Sequence, residues 1–285
     1  MKRTPQYLTV FLFLLSLGQL SGQTSVSKTD TARLRELVIF SASMHKNMSA
    51  RVLLPDAYFK DPTARFPVVY LLHGYSGKYS NWTEHVPEIR KWGNLLNCII
   101  ATPEGGFASW YFDSPVDSAF RYETHVAKEV VSYIDREFRT LASREGRAIA
   151  GLSMGGHGAM YLALRHPEVF GAAGSMSGGV DLQPFPGSWE IAQRIGSRQE
   201  FPERWEAASV VNNLYRWNEK MPVKFIIDCG TDDFFFEVNR ELHEKMLTWR
   251  IPHDFIVRPG EHNLAYWKNA VLYQLLYFSE FFTKG

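Results

Sequence analysis

A chain of 285 residues, 45% hydrophobic and 21% charged, is long enough to bury one large core. Its formal net charge is +1, and it carries no basic run. That balance argues against nucleic acid as a partner.

Residues 1–22 read as a signal peptide. Lys2 and Arg3 form the charged start, Tyr7 to Leu17 an apolar stretch, and Ser21-Gly22 the small residues before Gln23. The apolar stretch is short for a membrane span. Its removal takes two cations and no acid, leaving a net charge of −1. The expected product is secreted or periplasmic, without stable membrane insertion. Residues 23–33 are polar and read as a loose lead-in, and 34–285 as one domain.

Two alternating apolar runs, Leu37 to Phe40 and Ala50 to Leu54, flank the polar Ser43 to Asn47 and predict an antiparallel hairpin. Phe66 to Leu72 reads as a central buried strand ending in His73-Gly74-Tyr75-Ser76-Gly77. A helix is expected from about Trp82 to Leu96. The strand Cys98 to Ala101 follows, and then a long amphipathic helix over Arg121 to Arg139. That helix sets Val126, Val130, Ile134 and Phe138 one turn apart. Further strands are expected at Arg147 to Ala150, Gly171 to Met176, Val223 to Asp228 and Phe255 to Val257, and a closing helix over Leu264 to Phe282. Strand and helix alternate, which predicts a mostly parallel sheet with helices on both faces. Residues 181–218 break the alternation with Pro184, Pro186, Trp189, Pro202, Trp205 and Trp217. They read as an insertion over the sheet end, either a wall of the site or a helical connection with core tryptophans. Cys98 and Cys229 lie inside apolar runs and read as buried free thiols, provided their strands are not neighbours. No Cys/His spacing suggests zinc.

Gly151-Leu152-Ser153-Met154-Gly155-Gly156 fits Gly-x-Ser-x-Gly between a strand and an Ala/Leu-rich helix. That context holds a serine exposed at a sharp turn. A serine hydroxyl needs a histidine base oriented by a carboxylate, which here follow in the order acid, then histidine. Asp232 and Asp233 both follow the strand ending at Asp228, and local sequence does not separate them. Among nine histidines, His262 lies in a Pro/Gly loop at the correct end of the last strand. His45, His85 and His125 read as surface residues, His243 as solvated and His73 as structural. The oxyanion donors expected are the backbone N–H groups of Met154 and Tyr75. Trp110, Tyr111 and Trp267 are candidates for an acyl or aromatic pocket, with a place in the core as the alternative.

These residues resemble the esterase D / putative esterase family of α/β-hydrolases. It includes feruloyl, acetyl-xylan and tributyrin-type esterases, S-formylglutathione hydrolases and mycobacterial mycolyl transferases. The resemblance runs from about Leu37 to Phe282. It rests on Tyr70-Leu71-Leu72-His73-Gly74, Tyr122-Glu123, the Ser153 motif, Ser177-Gly178, Cys229-Gly230-Thr231-Asp232-Asp233-Phe234, and Pro259-Gly260-Glu261-His262 with Tyr266-Trp267. It implies the α/β-hydrolase fold, Ser153 as nucleophile, His262 as base, Asp233 as the acid, and Met154 and Tyr75 as oxyanion donors. It also implies a secreted serine carboxylesterase for short acyl or hydroxycinnamoyl esters, free or linked to polysaccharide, that needs no metal or cofactor. Acyl transfer of the mycolyl-transferase type and non-catalytic carbohydrate binding are the rival readings. The sequence leaves the oligomeric state open.

Overall fold

The computed structural model describes residues 33–284. The expected signal peptide and nearly all of the lead-in lie outside the described residues. The core is one eight-stranded sheet: β1 (Leu34–Ser41), β2 (Lys46–Leu53), β3 (Val68–Leu72), β4 (Ile99–Pro103), β5 (Arg147–Leu152), β6 (Ala172–Met176), β7 (Lys224–Gly230) and β8 (His253–Arg258). The spatial order is β1-β2-β4-β3-β5-β6-β7-β8. The β1–β2 pair is the expected antiparallel hairpin, and β2 also runs antiparallel to β4. All remaining pairs are parallel. This is the α/β-hydrolase fold foreseen in the sequence.

Strand periodicity assigns the side chains to the two faces. Val68, Tyr70 and Leu72 of β3 join Ile149, Ala173, Phe225 and Ile227 in one buried cluster, together with Val126, Val130 and Ile134 and the helix Met154–Arg165. Val69 and Leu71 enter the opposite cluster with Ile100, Ala148, Ala150 and Ile226, closed by Ile89 and by Ala270, Val271, Leu275 and Phe278 of the last helix, Leu264–Lys284. β3 and β4 are buried along their whole length, as their unbroken apolar runs require of strands covered on both faces.

Two expected helices differ in detail. The Trp82 to Leu96 stretch forms Asn81–His85 and Ile89–Leu95, because Pro87 cannot supply the N–H that would carry the first helix onward. The Arg121 to Arg139 stretch is helical, but His125–Val130 winds as a π-helix between Tyr122–Thr124 and Val131–Glu137. Val126, Val130 and Ile134 are buried as the period requires, while Phe138 has already left the helix in an extended conformation. His125 is not a surface residue. It is fully buried, with Nδ1 2.9 Å from Glu129, whose carboxylate also accepts the Ser43 N–H from the β1–β2 turn.

Cys98, just before β4, and Cys229, in β7, are buried free thiols, and β3, β5 and β6 lie between those two strands.

Candidate active site

In a mostly parallel sheet, ligand sites lie beyond the carboxyl ends of the strands where the order reverses. Here β3 leads outward to β4, and β5 returns to the other side of β3. Ser153 stands at that point. It follows β5, begins the helix Met154–Arg165, and holds φ 55°, ψ −119°. A residue with a side chain at such angles costs about 1–3 kcal/mol, a strain typical of functional sites. The turn is held by close backbone approach. A Cβ on Gly155 would lie 2.6 Å from the carbonyl oxygens of Leu72 and His73, so no side chain fits there. A Cβ on Gly74 would meet Leu152 Cδ1 at 2.6 Å and Ser153 Cβ at 3.3 Å, so the loop after β3 lies directly against the serine.

The far end of the same helix is pinned by Glu123. Its carboxylate accepts hydrogen bonds from Arg165 Nε at 2.7 Å and from His166 Nε2 at 2.9 Å. Buried charges are tolerated when paired in this way.

His262 follows β8 and brings its Nε2 to 2.9 Å from Ser153 Oγ. Its Nδ1 lies 2.8 and 2.9 Å from the two oxygens of Asp233. A carboxylate can only accept, so Nδ1 carries the hydrogen and Nε2 presents a lone pair to the serine hydroxyl. Asp233 also accepts the Phe235 N–H at 2.8 Å and is 5% exposed, whereas Asp232 points to solvent. The two loops are tied by Thr231 N–H to Arg258 C=O and Asp232 N–H to Gly260 C=O, each 2.9 Å. Gly230 has no room for a Cβ, which would meet Gly260 O at 2.2 Å. Beneath them Asp228, fully buried, accepts hydrogen bonds from Arg258 and from the Tyr266 phenol. Burial and that carboxylate together raise the Tyr266 pKa.

Met154 is the first residue of its helix, so its N–H has no intrahelical acceptor. Tyr75 lies on the facing loop, next to Gly74. His73 is buried in that loop. Its Nε2 accepts the Gly105 N–H at 2.8 Å, so its Nδ1–H donates to Gly74 C=O, also at 2.8 Å. A ring with both nitrogens so committed holds the loop and is no second base.

A cleft of about 430 Å³ opens over Ser153. Its lining includes Trp189, Phe234 and Trp267 as well as Tyr75, Asn81 and His85. Phe234 stacks on Trp189 (ring centroids 5.6 Å apart) and packs at 4.1 Å against His262. Of the three aromatic pocket candidates, Trp267 lines the cleft, but Trp110 and Tyr111 do not. Both are essentially fully buried. They are consecutive residues in left-handed conformation, with φ of 54° and 61°, and their side chains enter the core. Tyr111 donates its phenol to His73 C=O at 2.9 Å, and Trp110 donates Nε1–H to Trp189 C=O at 3.1 Å. They support the cleft from behind.

Segment 181–218 serves both of its expected roles. Trp205 is core, and Trp189 is a wall of the cleft. Trp189 and Phe234 were legible only in part. Phe234 adjoins the acid motif, but nothing local to Trp189 distinguishes it from the core Trp205. His85, read as a surface residue, is exposed and also borders the cleft. His243, read as solvated, is half-buried and bonded through Nδ1 to His253 Nε2 at 2.8 Å.

Comparison with known proteins gives the same direction as this geometry. An esterase of Mycobacterium tuberculosis (strain H37Rv) is 37% identical over 140 residues, 48% of this chain and 30% of the relative. An endo-1,4-beta-xylanase/feruloyl esterase of Xylanibacter ruminicola is 32% identical over 160 residues, 51% of this chain and 22% of the relative. The match thus spans less than a third of either relative's own length. Among solved structures, a ferulic acid esterase superposes with a TM-score of 0.76 at 28% identity, covering 87% of this chain and 98% of that one. The sequence profile of the putative esterase family matches residues 41–278, and the chain belongs to that family.

Proposed function

We propose that this protein is a serine carboxylesterase that works through an acyl-enzyme. The observation that carries the reading is the chain of contacts from Ser153 Oγ to His262 Nε2 at 2.9 Å and from His262 Nδ1 to Asp233 at 2.8 Å. Ser153 Oγ attacks the ester carbonyl carbon while His262 takes its proton, and Asp233 stabilises the imidazolium and fixes the ring. The tetrahedral oxyanion is held by the N–H groups of Met154 and Tyr75. Its collapse expels the alcohol, which leaves with the proton from His262. Water, deprotonated by the same ring, then attacks the acyl-enzyme and frees the acid.

The substrate class we propose is short acyl or hydroxycinnamoyl esters, free or on polysaccharide. Two features support it: an open cleft lined by Trp189, Phe234 and Trp267 among others, and relatives named as feruloyl esterases. We further propose export through a leader at residues 1–22, tested by N-terminal sequencing of the mature protein.

Hydrolysis of p-nitrophenyl acetate, p-nitrophenyl butyrate and methyl ferulate by wild type and Ser153→Ala tests the mechanism. Loss of turnover by at least a thousandfold in the variant is expected, since a missing nucleophile leaves only binding and the oxyanion site. Equal rates in the two proteins rule the mechanism out.

A further inference from the structure

The helix Phe236–Thr248 buries Val238, Leu242 and Met246, and with them one polar residue, Asn239, which is fully buried. An amide on an apolar face costs free energy unless its hydrogens find acceptors. Asn239 Nδ2 donates to Gly178 C=O and to Phe235 C=O, each at 2.8 Å. Two carbonyl partners fix the orientation of the amide, since a flipped group would face both with its own oxygen.

The two carbonyls belong to opposite sides of the catalytic constellation. Gly178 lies in the turn after β6, against the helix that begins at Met154. A Cβ on Gly156 would come within 3.0 Å of Gly178 Cα. The same strand end accepts the Ser153 N–H at Met176 C=O, 2.9 Å away. Ser177, between Met176 and Gly178, is fully buried and holds φ 51°, an angle that persists only where the surroundings over-determine it. Phe235 lies just after Asp233. Its N–H donates to Asp233 Oδ1 at 2.8 Å, and its buried ring stands edge-on to His262 with centroids 5.4 Å apart.

Main-chain bonds join β6 and β7 as far as the Ser177 N–H on Asp228 C=O, at 2.8 Å. Asp233 lies beyond that bond. The main-chain bonds of its turn from Thr231 and Asp232 run to Arg258 and Gly260, on the side of His262. Asn239 supplies a tie in the other direction, to the side of Ser153.

We propose that Asn239 is a positioning residue for the acid. Its amide carries the connection between β6 and β7 past the end of the sheet, to the peptide that holds Asp233, and so keeps that carboxylate in line with His262 and Ser153. The proposal rests on the serine-esterase reading above. Its effect belongs to the transition state, because Asp233 acts when the imidazolium forms and takes no part in binding the ester.

The test compares Asn239→Leu, Asn239→Ser, Asp233→Asn, the double variant Asn239→Leu/Asp233→Asn, Val238→Ala and Ser153→Ala with wild type, in hydrolysis of p-nitrophenyl acetate. Asn239→Leu keeps the volume and removes both donors. Asn239→Ser retains a hydroxyl that bonds the carbonyl four residues back, that of Phe235, and loses only the link to Gly178. Each should lose roughly tenfold to a hundredfold in kcat, a misplacement effect, with KM within about twofold. Adding Asn239→Leu to Asp233→Asn should cost less than about threefold more, since the carboxylate to be placed is gone. Val238→Ala truncates a buried neighbour on the same helix that makes neither bond, and it should keep wild-type kcat at reduced stability. Thermal unfolding checks that each variant is folded.

Wild-type kcat in folded Asn239→Leu or Asn239→Ser overturns the proposal. So do losses that multiply in the double variant, or an equal loss of kcat in Val238→Ala. If the Asn239 variants behave as wild type while Ser153→Ala is inactive, only the positioning role falls. If Ser153→Ala is as active as wild type, the esterase reading fails and the proposal falls with it.

Discussion

Ser153 and His262 stand 109 positions apart in the chain, yet their side chains meet at 2.9 Å. The meeting depends on β5 and β8 running parallel in one sheet with β6 and β7 between them, so that both loops open at the same edge. The sheet carries the serine rigidly. The histidine is carried by a loop and needs its ring locked, by Asp233 at one nitrogen and by Phe234 and Trp267 around the ring.

The acid can be distinguished from its neighbour by mutation. Asp233→Asn leaves the shape intact but offers an amide where the ring needs an acceptor, so Nε2 no longer faces the serine as a base. Activity on p-nitrophenyl acetate should fall by roughly 10³–10⁴. Asp232→Asn, at an exposed position, should stay within about twofold of wild type. Comparable losses in the two variants would contradict the assignment of Asp233.

Trp110 and Trp267 should respond in opposite ways. Trp110 is 1% exposed, and truncation to Ala should cost about 3–5 kcal/mol of stability in urea unfolding. Trp267 borders the cleft, and Trp267→Ala should raise KM for methyl ferulate more than for p-nitrophenyl acetate. A KM effect from Trp110→Phe at unchanged stability would return Trp110 to the substrate site.

His157 sets an acid limit on stability. It is fully buried and donates to Ala208 C=O at 2.8 Å, and burial pushes its pKa down to about 4. The unfolded chain holds this ring near its ordinary value of 6.5 and therefore binds the proton first as pH falls. The stabilisation is fully present above pH 6.5 and is lost progressively down to about pH 4, on the order of 3 kcal/mol in all. His157→Gln should flatten the decline in denaturant midpoint between pH 6.5 and 4.5. An unchanged slope would show that other groups set it.

Gly155→Ala tests the turn itself. The added methyl would sit 2.6 Å from two carbonyl oxygens of the β3 end, and backbone cannot yield as a side chain can. Overpacking of this kind costs about 1–3 kcal/mol, and the relaxation should move Ser153 out of line with His262. Activity should drop by about a hundredfold even where the protein is folded, a misplacement effect of ordinary size. A fully active variant would mean that the helix slides without disturbing the serine.

Features set by local chemistry were legible in the chain alone. Alternating apolar runs marked the hairpin and unbroken ones the central strands, and the alternation of strands with helices marked the parallel sheet. The Gly-x-Ser-x-Gly turn is local because its glycines serve contacts made within a few residues and with one adjoining strand end. The order of serine, acid and histidine followed from strand ends, and so did the loop of His262. The choice of Asp233 over Asp232 came from the family resemblance, since adjacent turn residues look alike until the turn aims one inward and the other at solvent.

Other features were decided only by tertiary structure. Trp110 and Tyr111 read as either site or core aromatics, and consecutive left-handed residues turned both into the core. His125 read as a surface residue, but the π-helix and Glu129 bury it beneath the β1–β2 turn. Trp189 and Trp205 were indistinguishable in an irregular segment, and packing sent one to the cleft and the other to the core. Residues far away in the chain take part: His73 and Trp189 hold Tyr111 and Trp110, and Ser43 of the β1–β2 turn bonds the Glu129 that pairs with His125. Periodicity records which face of an element is apolar, and it carries no information about where two loops meet.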